Sequence, residues 1–160
     1  MDDLNLIVMD DLNAVARGII DDNRYMALGT ADESGRPWVT PVYFAPEGYH
    51  TLYWLSSPER RHSRNVAGRP EVSIVVFNSQ VPIGEGQAVY MSATAAELTG
   101  EALERGIEIF SRVSQGHGGR AWTLEHAQAP AALRLYRATV SEHWVLDPLK
   151  RPDERTAVHL

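Results

Sequence analysis

The sequence contains no cysteine among its 160 residues. This absence excludes disulfide bonds, thiol nucleophiles and metal sites built from thiolates, and it is compatible with a reducing compartment. The sequence also lacks a Gly-x-Ser-x-Gly motif, the nucleophile turn of the α/β-hydrolases. Internal repeats and low-complexity segments are absent as well. The apolar content of 44% therefore predicts one domain with a substantial core.

Long apolar runs and an excess of positive charge are also missing. No apolar segment approaches the roughly 20 residues that span a bilayer, and the chain begins with acidic residues where a secretion signal is basic. The formal net charge is -6. This charge argues against general binding of nucleic acid, because a phosphate backbone requires an extended basic surface. We therefore expect a cytoplasmic protein that binds neither membranes nor nucleic acids.

Against this acidic background, one short segment is strongly basic. Four of the fifteen Lys and Arg residues fall within ten positions, namely Arg60, Arg61, Arg64 and Arg69. A solvent-exposed, Arg-rich helix is the simplest interpretation of such a run. The local reversal of charge in an acidic chain favours a second interpretation, in which the segment binds an anion such as a phosphate.

The residues around these arginines predict a strand that runs into a short helix. Ser57 suits an N-cap because its hydroxyl can accept a hydrogen bond from a free amide, and Pro58 suits the first helical position. Gly68 and Pro70 predict the end of the helix. The free amides and positive dipole at such a helix start favour a phosphate. This junction is therefore the first candidate site.

Most of the remaining sequence reads as short strands separated by turns. Strands are predicted at 25–30, 38–44, 49–55, 72–77, 87–98, 133–140 and 143–146. Turns are expected at 32–35 and 46–48, a loop at 78–86, and helices at 8–22, 101–113 and 122–128. The order predicts a mainly β protein, an antiparallel β-barrel with flanking helices, in which strand 72–77 is buried on both faces. Residues 1–147 form the expected single domain, and residues 148–160 a charged tail that is loose or draped over a neighbour.

Two strand positions have an open chemical interpretation. Pro41 lies in the middle of a predicted strand, where it cannot donate to a neighbour, so it marks an edge or a bulge. Backbone groups beside it would be free for a planar heterocycle, or Pro41 simply protects an edge strand from aggregation. Gln87 shares a strand face with Val89 and Met91, so its amide needs a partner if that face is buried. That partner comes from the same fold, from a ligand or from a second subunit.

Three separated motifs resemble the flavin-binding split-barrel family typified by pyridoxamine 5'-phosphate oxidase. They are GRPWVTPVYF, LSSPERRHSRN and EGQAVYMSA. The resemblance covers Arg24 to Leu98 well and the rest of the chain loosely. It implies an antiparallel, Greek-key-like, FMN-binding split barrel that forms a homodimer, with two FMN molecules at the subunit interface.

The resemblance also implies which residues hold the cofactor. The first motif resembles the strand whose backbone lines the isoalloxazine ring, here Val39, Thr40, Pro41 and Val42. The second resembles the segment that binds the ribityl phosphate, here Leu55, Ser56, Ser57, Arg61, His62 and Asn65. Within it, Arg61 and His62 occupy the places of a typical Arg-Lys pair. The third motif brings Gln87 to the flavin, and a late strand of this fold brings Trp144 within reach, with core packing as its alternative role.

The chain departs from the oxidase itself at three places. The stretch from Thr40 to Phe44 contains no basic residue, although the oxidase uses basic residues there for the cofactor and the substrate phosphate. Near the C-terminus the oxidase carries Arg-x-His, whereas residues 142–147 read EHWVLD. His62 in the place of lysine also weakens the phosphate site, because an unperturbed imidazole is mostly uncharged at neutral pH. We therefore expect no useful oxidation of pyridoxamine 5'-phosphate.

The leading hypothesis is an FMN-dependent oxidoreductase that acts on an unknown small substrate. No catalytic side chain and no metal are required, because the flavin carries the hydride. One alternative keeps the fold and uses the deazaflavin coenzyme. An alternative of another class is a non-catalytic flavin- or haem-binding module for storage or sensing. His117, Glu125 and His126 match no metal-binding spacing, so we expect surface or packing roles for them.

Overall fold

In this computed structural model the backbone is described for residues 3–150 and 152–160, with side chains from residue 11 onward. Residues 1, 2 and 151, which belong to the predicted domain and tail, lie outside the described part. The helices found there are α1 (Asp3–Asp22), α2 (Arg61–Gly68), α3 (Gly100–Gly116) and α4 (Leu124–Ala127). The strands are β1 (Tyr25–Ala31), β2 (Pro37–Tyr43), β3 (Ala45–Glu47), β4 (Thr51–Ser56), β5 (Glu71–Phe77), β6 (Ala88–Glu97), β7 (Arg134–Leu146) and β8 (Arg155–Val158).

The strands form one curled antiparallel sheet. Its order is β2-β1-β5-β6-β7-β4-β3, and β8 pairs with β7. The predicted turn at 32–35 joins β1 to β2 as a hairpin in which Thr30 lies opposite Trp38. This arrangement confirms the predicted mainly β, antiparallel barrel with flanking helices. Within the described residues, no helix has the length and apolar character needed to cross a membrane.

Strand β4 shows how the sequence builds two apolar clusters. Leu52 and Trp54 face the barrel interior, where Ile20 of α1 packs against the same cluster. Tyr53, between them, faces the opposite side and packs with Phe110 of α3. Successive strand residues point to opposite faces of a sheet, so an uninterrupted apolar strand serves both clusters. Helices α1 and α3 thus complete cores on different sides of the sheet.

The basic helix begins later than the sequence predicts. Ser57 and Pro58 lie in a turn in which the Arg60 N–H donates to the Ser57 carbonyl at 3.2 Å. The Ser57 hydroxyl accepts a hydrogen bond from the Glu59 N–H, also at 3.2 Å. A Ser-Pro pair suits such a turn as well as it suits a helix start, so the predicted N-cap at Ser57 is wrong. The N-cap is Arg60, without a side-chain cap, and the helix ends at Gly68 as predicted.

Two strands differ from their predicted form. Pro46 and Glu47 lie in β3, and the chain turns after them, where Gly48 has a φ of 61°. Glycine adopts positive φ without steric cost, which moves the turn beyond its predicted bounds. Strand β5 is central in the sheet, as expected. The prediction that both its faces are buried is wrong, because Phe77 on the outer face is 49% exposed.

The end of the chain is more regular than the sequence predicts. The two expected closing strands are one strand, β7, with a bulge at Ser141 opposite the Ser92–Ala93 step. The extra residue interrupts the alternation of buried and exposed positions. For this reason the sequence pattern predicts two strands where the structure has one. The expected loose tail is also wrong. Strand β8 pairs with residues 143–146 of β7, and Val158 is buried in the barrel core.

Candidate functional site

A groove of about 550 Å³ crosses the outer face of β1, β2, β5 and β6. Its floor is a row of small residues, because Gly29 lies opposite Ser73 and Ser73 lies opposite Ser92. A Cβ atom at Gly29 would lie 3.2 Å from the Ser73 carbonyl oxygen, so glycine allows this close crossing. Pockets for small ligands measure roughly 300–1,000 Å³. The groove is therefore large enough for a ligand of cofactor size.

The strand expected to line a flavin ring, β2, forms one wall of this groove. It ends the sheet order, so alternate backbone N–H and C=O groups have no partner strand in the described chain. Pro41 lies in this edge strand, as its missing N–H predicts. Val39 is 65% exposed and lines the groove. Thr40 and Val42 alternate onto the other face and are half-buried. The wall thus offers free amide groups to the edge of a planar ligand.

Arg61 lies on α2 beside Trp38, whose side chain shares a face of β2 with Thr40. Its guanidinium carbon is 4.3 Å from the centroid of the Trp38 ring, and Trp38 lines the groove. Within the described residues the Arg61 side chain donates no hydrogen bond, so its N–H groups are available to an anion. The cation–π contact holds the guanidinium beside the groove. Arg60 is exposed and has no ring contact or side-chain hydrogen bond in the same part of the chain.

A buried polar network lies on the inner side of α2. Ser56 Oγ is 2.7 Å from His62 Nε2. Asn65 Nδ2 donates to Thr30 Oγ1 at 3.0 Å, and the Thr30 hydroxyl donates to the Trp38 carbonyl at 3.4 Å. These bonds join the helix to β4, β1 and β2. The network therefore fixes the orientation of α2 against the hairpin that forms the groove wall.

The structure separates the two residues expected to form a cationic pair. Arg61 is exposed, whereas His62 is only 8% exposed and faces Ser56. Consecutive helical residues point about 100° apart, so these two side chains do not converge on one anion. Leu55 packs in the apolar cluster under α3, and Ser57 is half-buried in the turn. Of the six residues assigned to a phosphate, Arg61 is the one whose charged group is presented to solvent.

Burial lowers the pKa of His62, and the positive charge of Arg60 lowers it further. Burial is also the largest influence on His143, whose pKa is lowered although a hydrogen bond to the Tyr49 carbonyl opposes the shift. Ordinary histidine titrates near pH 6.5. Both imidazoles are therefore neutral at neutral pH, and neither adds a positive charge to an anion site there.

We expect the free energy of unfolding to decrease as the pH falls from about 7.5 to about 5. A histidine whose pKa is lower in the folded state contributes stability above its unfolded pKa. That contribution is lost as the pH falls through the folded pKa, because the unfolded chain binds the proton first. Urea unfolding of wild type and His62→Gln across this range measures the effect.

The His62→Gln variant should lose less stability on acidification than wild type, because glutamine keeps a hydrogen bond toward Ser56 without titrating. The exposed His159→Gln is the matched control for replacing a histidine. An identical pH dependence in wild type and His62→Gln would show that the buried imidazole does not couple folding to protonation.

Gln87 and Trp144 have different positions relative to the groove. Gln87 is half-buried just before β6 and lines a separate cavity beside α1, with Gly18 and Val81. Within one protomer the structure does not bring it to the groove. Trp144 lies on the same outer face of the sheet as the groove, because it is opposite Tyr90 in the register of β6 and β7. It is half-buried and borders a second cavity.

Sequence reasoning missed the floor of the groove and part of its support. Gly29, Ser73 and Ser92 lie on three strands whose pairing is not visible in local sequence. The pairing of Thr30 with Trp38 could be predicted from the sequence, because a hairpin turn at 32–35 places the residues on either side of it opposite each other. The row of small residues could not be predicted in this way, because it depends on the pairing of three strands that are distant in sequence.

His117 and His126, which the sequence analysis considered as metal ligands, form hydrogen bonds with neighbouring residues of the fold. His117 Nδ1 is 2.8 Å from the Tyr43 hydroxyl. His126 Nδ1 accepts the Thr123 N–H at 3.0 Å in the capping box of α4. In the part of the chain that the structure describes, no group of three or more His, Asp or Glu residues is arranged to hold a metal ion.

Several solved structures share this fold. The haem storage protein HutZ of Vibrio cholerae is 19% identical with a TM-score of 0.65, over 85% of this chain and 94% of that one. A haem-binding protein of Mycobacterium smegmatis is 15% identical with a TM-score of 0.69, over 89% of this chain and 55% of that one. An F420 reductase is 16% identical with a TM-score of 0.59, over 80% and 94%. These likenesses establish the fold, and their different ligands leave the cofactor open.

Sequence families give a more specific result. No protein of curated function matches the chain. Residues 12–146 match the family described as pyridoxamine 5'-phosphate oxidase. The match spans all four central elements of the site, namely β1, β2, α2 and β5. Because it also covers most of the 160 residues, the protein belongs to the pyridoxamine 5'-phosphate oxidase family.

Proposed function

We propose that this protein is a homodimeric, FMN-dependent oxidoreductase that acts on a small substrate. The observation that carries the proposal is a free guanidinium next to a residue that borders the groove. The Arg61 guanidinium carbon lies 4.3 Å from the centroid of the Trp38 ring, and Trp38 is among the residues that line the groove. Bound FMN supplies hydride transfer, and the protein supplies binding and orientation. The cysteine-free composition is compatible with action in the cytoplasm.

The residues present fit the two ends of FMN. A phosphate is matched by the planar guanidinium of Arg61, which can donate two parallel hydrogen bonds. A flat ring is matched by the floor of Gly29, Ser73 and Ser92, which presents little side-chain bulk. The polar edge of the ring is matched by the unpaired backbone groups of β2. The neutral His62 supports α2 from within and does not share the charge of the phosphate.

The proposal includes a second copy of the chain, because the groove is open on its outer side. Large apolar side chains lie exposed on this face of the sheet, including Tyr25 at 63%, Val39 at 65% and Phe77 at 49%. Several large apolar side chains exposed on one face are typical of a surface that another molecule covers. A second copy would cover it and exclude water from the cofactor. Gln87, which is remote from the groove in its own protomer, would reach a flavin only across that interface.

We expect a dimer in sedimentation experiments, with an interface that buries more than about 2,000 Å² in total. Phe77→Arg should convert it to a monomer, because a charged side chain would be buried without a partner. Leu149→Arg is the matched control, since Leu149 is 68% exposed and lies outside the sheet. A stable wild-type monomer that still binds FMN would contradict this part of the proposal.

The cofactor is tested by offering the purified protein FMN, coenzyme F420 (a deazaflavin) or haemin and measuring the bound amount by absorption. The proposal expects one FMN per chain, released as FMN on denaturation, that is reduced by a donor and reoxidised by an acceptor. Preferential binding of F420 would identify a deazaflavin reductase on the same fold. Preferential binding of haemin, or FMN that no donor reduces, would identify a storage or sensor module.

We expect no useful turnover of pyridoxamine 5'-phosphate. Its phosphate needs a cationic clamp separate from the cofactor site, because two dianions repel strongly when they share one arginine. On the outer face near Trp144, the guanidinium carbon of Arg155 lies 4.7 Å from the Tyr90 ring centroid, and one arginine makes a weak clamp. The FMN-loaded protein is assayed for pyridoxal phosphate. Saturable formation at an enzyme's ordinary turnover would overturn the expectation, and its loss in Arg155→Ala would identify the missing clamp.

A further inference from the structure

A second cavity lies where β7 and β8 meet the turn before β4. Its volume is about 210 Å³, and His50, His143, Trp144 and Val158 contribute to its walls. The rings of His50 and His143 meet edge to face, with centroids 5.0 Å apart. The volume is below the roughly 300–1,000 Å³ typical of pockets for larger ligands. The cavity therefore has room for a single ring bounded by flat side chains.

His143 has one ring nitrogen in use and one available. The side chain is 3% exposed, and Nε2 lies 2.6 Å from the Tyr49 carbonyl oxygen. A carbonyl accepts only, so Nε2 carries the proton, and in the neutral ring Nδ1 is an acceptor. Within the residues that the structure describes, Nδ1 has no hydrogen-bond partner. The lowered pKa of His143, caused mainly by burial, keeps the imidazole in this neutral form.

We propose that this cavity binds a neutral monocyclic phenol whose hydroxyl donates to Nδ1 of His143. An unpaired acceptor on a buried side chain calls for a ligand that can donate. The His50 imidazole, which meets the His143 ring edge to face, gives the cavity an aromatic wall for a planar ring, and Trp144 also borders the cavity. Glu142 also lines the cavity. Its carboxylate repels an anionic ligand, and it can accept a hydrogen bond from a second hydroxyl group on the ligand's ring.

The position of the cavity gives this ligand a role. Ser141, the bulged residue of β7, lines both the cavity and the groove. A phenol bound beside Trp144 would therefore lie next to a cofactor in the groove, in the position of a substrate. This role rests on the proposed function, whereas the binding of the phenol does not. Measuring phenol binding with and without added FMN distinguishes the binding of the phenol from its role as a substrate.

The test uses phenol and fluorobenzene, which have nearly the same shape and differ in the ability to donate. Binding is followed by NMR at the indole N–H of Trp144, assigned with the Trp144→Phe variant. We expect phenol to bind roughly fivefold more tightly than fluorobenzene, the effect of one hydrogen bond. His143→Gln keeps a donor toward the Tyr49 carbonyl and removes Nδ1, so the preference for phenol should disappear. His143→Asn keeps an acceptor near Nδ1 and should restore part of it.

Equal affinity for the two probes in wild type would overturn the proposal, as would phenol that shifts the Trp38 signal and leaves Trp144 unchanged. If His143→Gln fails to fold, the comparison of the two probes in wild type still decides. If phenol binds at Trp144 and FMN does not bind at all, the cavity assignment stands and the proposed function fails. If FMN binds and phenol does not, the cavity assignment fails and the proposed function stands.

Discussion

Arg61→Ala is expected to weaken FMN binding at least tenfold, while Arg60→Ala leaves it close to wild type. A hydrogen bond between charged groups contributes about 1.5–3 kcal/mol, and each 1.4 kcal/mol is roughly a factor of ten in affinity. The guanidinium of Arg61 lies over the ring of Trp38, a residue that borders the groove. Arg60 precedes the helix as its N-cap, and its exposed side chain has no such contact.

Riboflavin provides the control for this result, because it has the same ring and no phosphate. The affinity for riboflavin should be nearly the same in wild type and Arg61→Ala, and both affinities are measured by quenching of flavin fluorescence. Equal losses in Arg60→Ala and Arg61→Ala would mean that the cluster acts through its general positive field. An equal loss for riboflavin and FMN would mean that Arg61 acts on the ring or on the fold.

Ser73→Trp is expected to reduce FMN affinity by a factor of ten to a hundred. Ser73 is exposed at the centre of the groove floor, between Gly29 and Ser92, so an indole there would occupy the space assigned to the ring. Overpacking of a fitted site typically costs about 1–3 kcal/mol, and the middle of this range corresponds to roughly a tenfold to a hundredfold loss of affinity. The strand itself should tolerate the change, because aromatic residues favour exposed strand positions.

The control for Ser73→Trp introduces a tryptophan at an exposed serine outside the groove. Ser79→Trp places an indole on the exposed loop after β5, outside the groove, and should leave FMN affinity unchanged. Sedimentation of both variants separates blocking of the groove from loss of the dimer. Wild-type affinity in a dimeric Ser73→Trp would show that FMN binds somewhere other than on this floor.

Local features of the sequence predict local features of the fold. The hairpin of β1 and β2 follows from its turn residues, and the edge position of β2 follows from Pro41, because proline lacks the N–H that an inner strand needs. The end of α2 follows from Gly68 in the same way. Its start does not. The Ser57-Pro58 pair is equally suited to a turn, and the tertiary structure uses it as one.

The site required information that only the packed structure contains. Helical spacing predicts that Arg61 and Arg64 lie on one helix, but it does not say which side of that helix meets the barrel. The bond from Asn65 to Thr30 decides that side, and with it the burial of His62. The groove floor is a question of register between strands far apart in sequence, and register is set by pairing across the whole sheet. The family resemblance indicates the general location of the site, and the structure shows which side chains there are buried and which are exposed.

The central claim is that FMN lies in the groove with its phosphate at Arg61. A crystal structure of the protein with bound FMN tests it most directly. We expect the phosphate within hydrogen-bonding distance of the Arg61 guanidinium and the ring over Gly29 and Ser73, beside the edge of β2. A flavin found in the cavity of His143 and Trp144, or a phosphate held without Arg61, would contradict the account.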